Sequence, residues 1–136
     1  MLVLVDTDVV SYGLRGDPLF NDFYGPALED AEPYVSFMTI GELELGAALR
    51  NWGERRISEM RSYLEMNFTG IPSNLEICRR YGALMGIAKS QGRVLNFGDG
   101  WIAATALVYQ ISLMTNNRRD FEYLPGIQLI TREGNN

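Results

Sequence analysis

Asp6, Glu42 and Asp99 are the side chains of this chain best suited to do chemistry, and they share a kind of position although they stand far apart in sequence. Asp6 ends the apolar run Met1-Leu2-Val3-Leu4-Val5 and is followed at once by Thr7 and Asp8. Glu42 closes Thr39-Ile40-Gly41-Glu42, where we expect the first turn of a helix, and Asp99 stands in Gly98-Asp99-Gly100, a turn opening another. Three or four carboxylates crowded together repel one another and need a compensating charge. A hard divalent cation, Mg²⁺ or Mn²⁺, supplies it, because it takes a few carboxylates together with waters and substrate phosphate oxygens.

Composition points the same way. The chain has no histidine, so a His-based triad, an imidazole zinc site and His phosphorelay are excluded within it. Cys78 is the only cysteine, which excludes an internal disulfide and any multi-thiolate metal site and suits a reducing compartment. Acid-base and metal chemistry must therefore run through carboxylates. Twelve basic and seventeen acidic residues give a net charge of -5, which opposes general affinity for nucleic acid unless cations intervene.

Those acids need elements to hold them. The 136 residues, 46% hydrophobic and 21% charged, suit one globular domain, expected over residues 1–132 with a flexible tail at 133–136. No apolar stretch is long enough to span a membrane, and Asp6 interrupts the first one too early for a signal peptide, so a cytoplasmic location is expected. Period-two and continuous apolar runs predict strands at 2–5, 34–37, 68–71, 112–115 and 128–131. Apolar residues three and four apart predict helices at 17–31, 39–51, 53–67, 73–91 and 99–110, with a further helical segment at 9–14 and Gly92 at a helix end. Strand alternating with helix implies an α/β fold, a mostly parallel sheet of about five strands covered on both faces. Ligands in such sheets gather at strand C-termini, where Asp6, Glu42 and Asp99 all fall.

Each acid also has a plainer reading. Thr39 to Glu42 fits a capping box, Asp99 is a candidate N-cap, and Asp6 or Asp8 can cap the helix that follows. Ser73-Asn74-Leu75-Glu76 has the same pattern and reads as a cap outright. Taken singly, capping is the simpler account of each; taken together, the acids favour the cation.

At this point the chain resembles a family, the PIN-domain ribonucleases, and among them the toxin half of VapBC-type toxin-antitoxin pairs. The resemblance covers nearly the whole chain. It rests on Leu4-Val5-Asp6-Thr7-Asp8-Val9-Val10, Ser36 to Leu43 with Gly46-Ala47, Asp99-Gly100-Trp101-Ile102-Ala103-Ala104-Thr105-Ala106, and Leu113 to Phe121, four pieces in family order. It implies a PIN-like three-layer α/β/α sandwich and a metal-dependent endoribonuclease. Asp6, Glu42 and Asp99 match the metal-binding positions, with Mg²⁺ or Mn²⁺ as cofactor. In many relatives an Asp follows the Thr of the last motif by two residues; here Asn117 stands there, and either Asp120 or Asn117 fills the fourth place. The partners implied are an RNA substrate and a VapB-like antitoxin, in a toxin-antitoxin complex that holds a homodimer. The chemistry implied is in-line attack by metal-activated water, leaving a 5′-phosphate and a 3′-hydroxyl.

Around those positions, Thr7, Asp8 and Thr115 can orient the carboxylates by hydrogen bonding, or cap turns. Arg118, Arg119 and Arg93 can hold RNA phosphates, or form an exposed charged face; Arg50, Arg55, Arg56, Arg79 and Arg80 read as solvated helix faces. Trp101 and Ile102 read as core, while Trp52, Met60, Tyr63, Leu64 and Met66 read as core or as a groove for a second toxin copy or an antitoxin helix. Two rival functions remain. Asp-Thr-Asp after an apolar strand also resembles the nucleophile motif of haloacid-dehalogenase-type phosphatases, and a PIN-like module without catalysis would serve only to bind.

Overall fold

The structure is a computed structural model, and it describes residues 1–132; the tail expected at 133–136 lies outside the described residues. Its first strand, β1 (Leu2–Val5), shows why the chain folds in layers. Val3, Leu4 and Val5 are each fully buried, yet they alternate between two cores: Val3 and Val5 pack with Val9, Val10 and Met114, and Leu4 packs with Ile102 and Leu113. A strand apolar on both faces must lie between two layers of helices.

The chain continues through α1 (Thr7–Leu14), a π-helical turn (Phe20–Tyr24) running into α2 (Gly25–Leu28), β2 (Glu32–Ser36), α3 (Phe37–Leu49), α4 (Glu54–Asn67), β3 (Thr69–Ile71) and α5 (Leu75–Ser90). It ends with α6 (Phe97–Tyr109), β4 (Ser112–Met114), α7 (Arg118–Phe121) and β5 (Leu129–Ile130). All strand pairings are parallel, in the order β3-β2-β1-β4-β5. α5 and α6 pack against each other on one face, with Leu84, Ala88, Ile102 and Ala106 buried. On the other face α1, α3 and α4 contribute Val9, Leu43, Ala47, Met60 and Leu64. This is the expected α/β/α sandwich.

The strand order sets the site. From β1 the chain builds outward through β2 to β3, then returns to place β4 and β5 on β1's other side. Connections therefore diverge from the C-terminal ends of β1 and β4, and a crevice opens between them. Asp6 follows β1 and Thr115 follows β4, so both stand at that crevice.

Several local expectations are corrected. α3 begins at Phe37, two residues before Thr39, because Ser36 ends β2 and caps the helix, its hydroxyl accepting from the Met38 amide at 3.0 Å. Thr39 is thus inside the helix and buried, and Glu42 lies in the second turn, free of any capping role. Asn96, not Asp99, caps α6, and Asn74, not Ser73, caps α5 by accepting from the Ile77 amide at 2.9 Å. The helix expected at 17–31 is the π-helical turn joined to the short α2. α7 falls outside the expected helices, since four residues carry no periodicity. Gly92 does end α5, at φ +67°, a conformation that glycine adopts without strain.

Candidate active site

Asp6 is at once a helix cap and a member of an acid cluster. As N-cap of α1 its Oδ1 accepts from the Thr7 amide at 2.8 Å, while Oδ2 accepts from the Thr115 hydroxyl at 2.7 Å. The backbone amide of Asp6 reaches the Met114 carbonyl at 2.9 Å, extending the β1–β4 pairing to the crevice. At 3% exposure this carboxyl is costly to ionise: burial pushes its pKa well above the usual range, and the charges of Asp8 and Asp99 push the same way against the two hydrogen bonds.

Asp8 is fixed differently. Its Oδ1 accepts from the Val9 amide at 2.7 Å and its Oδ2 from the Asn116 amide at 3.0 Å, tying α1 to the loop after β4. Burial raises its pKa too, and the Asp120 charge adds to the effect. Both Asp8 oxygens accept from backbone amides, which fixes the orientation of this carboxyl.

Thr7 joins α1 to α3. Its Oγ1 lies 2.8 Å from Glu42 Oε1 and 2.9 Å from Thr39 Oγ1. A hydroxyl has one proton and an ionised carboxylate can only accept, so Thr7 donates to Glu42 and accepts from Thr39. That chain aims Glu42 toward α6. A Cβ added at Gly98 would stand 2.8 Å from Glu42 Oε2, so the missing side chain at Gly98 lets the carboxylate approach the first turn of α6.

Asp99 occupies that turn. Its amide donates to Asn96 Oδ1 at 2.8 Å, and Asn96 Nδ2 donates back to its Oδ2 at 2.9 Å. Burial, followed by the charges of Asp120, Glu42 and Asp8, raises its pKa to about 6. The fold has therefore brought Asp6, Asp8, Glu42, Asp99 and Asp120 within range of one another's charge. None of these five is ion-paired to a basic side chain among the described residues. No three of the described acids converge on one point as a ready-made ion cage. The donor set, oxygen throughout and crowded by like charge, nevertheless has the chemistry that Mg²⁺ or Mn²⁺ takes.

The two candidates for the fourth place stand in different surroundings. Asp120, exposed in the first turn of α7, bears electrostatically on both Asp99 and Asp8. Asn117 contributes its backbone amide to Thr115 Oγ1 at 3.0 Å, and its side chain makes no capping bond to α7. The asparagine engaged with the acids is Asn116, which sequence alone does not single out. Its Oδ1 accepts from the Tyr24 hydroxyl at 2.6 Å, and its Nδ2 reaches the Tyr12 hydroxyl at 3.5 Å. Tyr24, fully buried, also accepts from the Arg132 amide at 3.1 Å. No local sequence signal marks Tyr24, since only the fold sets it against residues ninety positions away; Asn96 carries the ordinary signal of an asparagine just before a helix.

Arg118 and Arg93 make local contacts. Arg118 donates to Glu122 at 2.7 Å on an exposed face, and Arg93 lies 4.1 Å above the Tyr123 ring and donates to the Arg119 carbonyl at 3.1 Å. Trp101 packs as anticipated, stacked on Tyr81 at 3.8 Å, whereas Met66 is exposed, outside either the core or a closed groove.

A doubly wound parallel sheet with a histidine-free acid cluster at its switch point places the chain among α/β proteins whose sites lie at the carboxyl ends of their strands. The sequence profile of the PIN domain matches residues 3–127, and the chain belongs to that family. It is 31% identical over 130 residues to VapC ribonuclease Y4jK of Sinorhizobium fredii, covering 89% of this chain and 91% of that one. It is 30% identical to Toxin FitB of Neisseria gonorrhoeae, over 88% and 91% of the two chains. Among solved structures, VapBC-1 from nontypeable Haemophilus influenzae superimposes with a TM-score of 0.80 at 27% identity, covering 96% of this chain and 98% of that one.

Proposed function

We propose that this protein is a toxin of the VapC type, an endoribonuclease dependent on Mg²⁺ or Mn²⁺ and neutralised by a VapB-like antitoxin. The observation that supports the reading is that Asp99 lies within range of the charges of Asp6 and Glu42, in a chain whose relatives include a VapC ribonuclease and a toxin. Asp6, Glu42 and Asp99 would hold a divalent cation, which would lower the pKa of a water and offset phosphate charge. Asp6 and Glu42 are held ready for it by Thr115 and Thr7, with Asp99 across the crevice. Asp99, in the first turn of α6, would share in holding the cation, and a carboxylate of the cluster would take the proton of the attacking water. Asp120, whose charge bears on Asp99 and Asp8, fills the fourth place.

We infer that the chain works as a homodimer inside the toxin-antitoxin complex, where exposed apolar residues such as Val94 and Phe97 gain cover. No helix among the described residues is long and apolar enough to cross a membrane.

The test is RNA end sequencing after induced expression of the wild type and of Asp6→Asn. Wild type should leave new ends carrying 5′-phosphate and 3′-hydroxyl, and Asp6→Asn should leave none while keeping its thermal transition. The purified protein should lose cutting in EDTA and regain it with Mg²⁺ or Mn²⁺. Cutting unaffected by both changes would sink the assignment, and no cutting by wild type would favour the binding-module reading.

A further inference from the structure

A groove of about 500 Å³ runs between α1, α3 and α4 and opens at its inner end on Thr7 and Glu42, so it is continuous with the acid site. Met60, Arg50, Trp52 and Arg56 are among the residues that line it. These two arginines stand apart from the other groove charges. Arg15 is ion-paired with Asp17 at 3.4 Å, and Glu59 is taken by Arg55 at 3.2 Å. Neither Arg50 nor Arg56 has a carboxylate partner among the described residues. Arg50 lies back across Gly46, where a Cβ would come within 2.8 Å of its Nη1, which keeps its guanidinium along the groove. Arg56 is stacked over the Trp52 ring at 3.9 Å.

We propose that this groove is the track for the single-stranded RNA segment flanking the scissile phosphate, with Arg50 and Arg56 binding phosphates and the Trp52–Arg56 stack as a platform for one base. The proposal rests on the endoribonuclease reading of the acid cluster. An RNA strand must approach five carboxylates on a chain of net charge -5, so cations beside the site are required. Arg118 spends its charge on Glu122, whereas the groove offers two guanidiniums with open forks. A flat face joining indole and guanidinium is what sequence-tolerant base stacking uses.

The test uses the full chain carrying Asp6→Asn, in Mg²⁺, with a fluorescein-labelled 12-nucleotide RNA of randomised sequence, read by anisotropy from 0.05 to 0.3 M salt. Removing one arginine–phosphate pairing lowers the slope of log affinity against log salt by ~0.7 for a single strand, so Arg50→Gln with Arg56→Gln should lower it by ~1.4 and weaken binding about twentyfold at 0.1 M salt. In a Trp101→Phe background, RNA should quench the remaining Trp52 emission. Should the double variant fail to fold, Arg56→Lys alone serves: it should keep the slope and lose most of the quenching. An unchanged slope in the folded double variant, or RNA bound without quenching, would overturn the proposal. So would variants that bind RNA normally but escape a co-expressed antitoxin, since the groove would then belong to a protein. Failure of the ribonuclease reading is separate, being the absence of cation-dependent cutting of total RNA by wild type.

Discussion

Asp99 concentrates the electrostatic problem of the site in one carboxyl. Burial and the Asp120, Glu42 and Asp8 charges favour its neutral form, so the native state binds a proton more tightly than the unfolded chain between the ordinary carboxylate pKa of 3.8 and about 6. The sign follows: this group's contribution is present below pH 3.8 and is lost as pH rises through about 6. With cations chelated, Asp99→Asn should therefore be more stable than wild type at pH 7, by about 1 kcal/mol after allowing for solvent screening, and indistinguishable from it near pH 4. Thermal unfolding in EDTA across that range checks it, and a difference that grows toward low pH would refute it. Mg²⁺ should reverse the ranking at pH 7, because the ion stabilises only the charged cluster.

Between elements, what matters is how closely α3 can approach α6. Glu42 leaves α3 and reaches the N-terminal turn of α6 because Gly98 has no side chain in its way. In Gly98→Ala the methyl would meet the far end of a flexible glutamate, so the fold should hold while the carboxylate is displaced. Cutting should fall at least about tenfold, the usual consequence of misplacing a ligand's support, with the thermal transition changed by no more than a few degrees. Rates and calorimetric Mn²⁺ affinity measured together decide it; unchanged affinity would show that Glu42 does not need this approach. Most elements are legible in the sequence at this level because β1 and α6 carry strong apolar patterns. The start of α3 is not, since Thr39 and Glu42 match a capping box as well as Ser36 makes a cap, and only packing distinguishes them.

Across the molecule, the layers are locked to the site through Tyr24. Its hydroxyl, between the π-helical turn and the loop after β4, serves Asn116 and the Arg132 amide at once. Tyr24→Phe removes the hydrogen bonds to half-buried Asn116 and to the exposed Arg132 amide, which should cost about 1 kcal/mol and slow cutting by loosening the Asn116 clasp on Asp8. Calorimetry and rates measured well below the transition distinguish that from simple unfolding; a variant with full activity would show that Asp8 needs no such clasp. The sequence by itself determined the oxygen-only chemistry, because histidine is absent and cysteine single, and it determined the alternation of strand and helix, because those periods are local. Which acids meet was decided by tertiary structure alone. Asp6 and Asp99 come within range of each other's charge only because the parallel order β3-β2-β1-β4-β5 splits the connections at β1 and β4, and Asn116 reaches both Asp8 and the buried Tyr24 only because the fold sets them together. Meetings between residues a hundred positions apart depend on strand order and packing, which local periodicity does not encode.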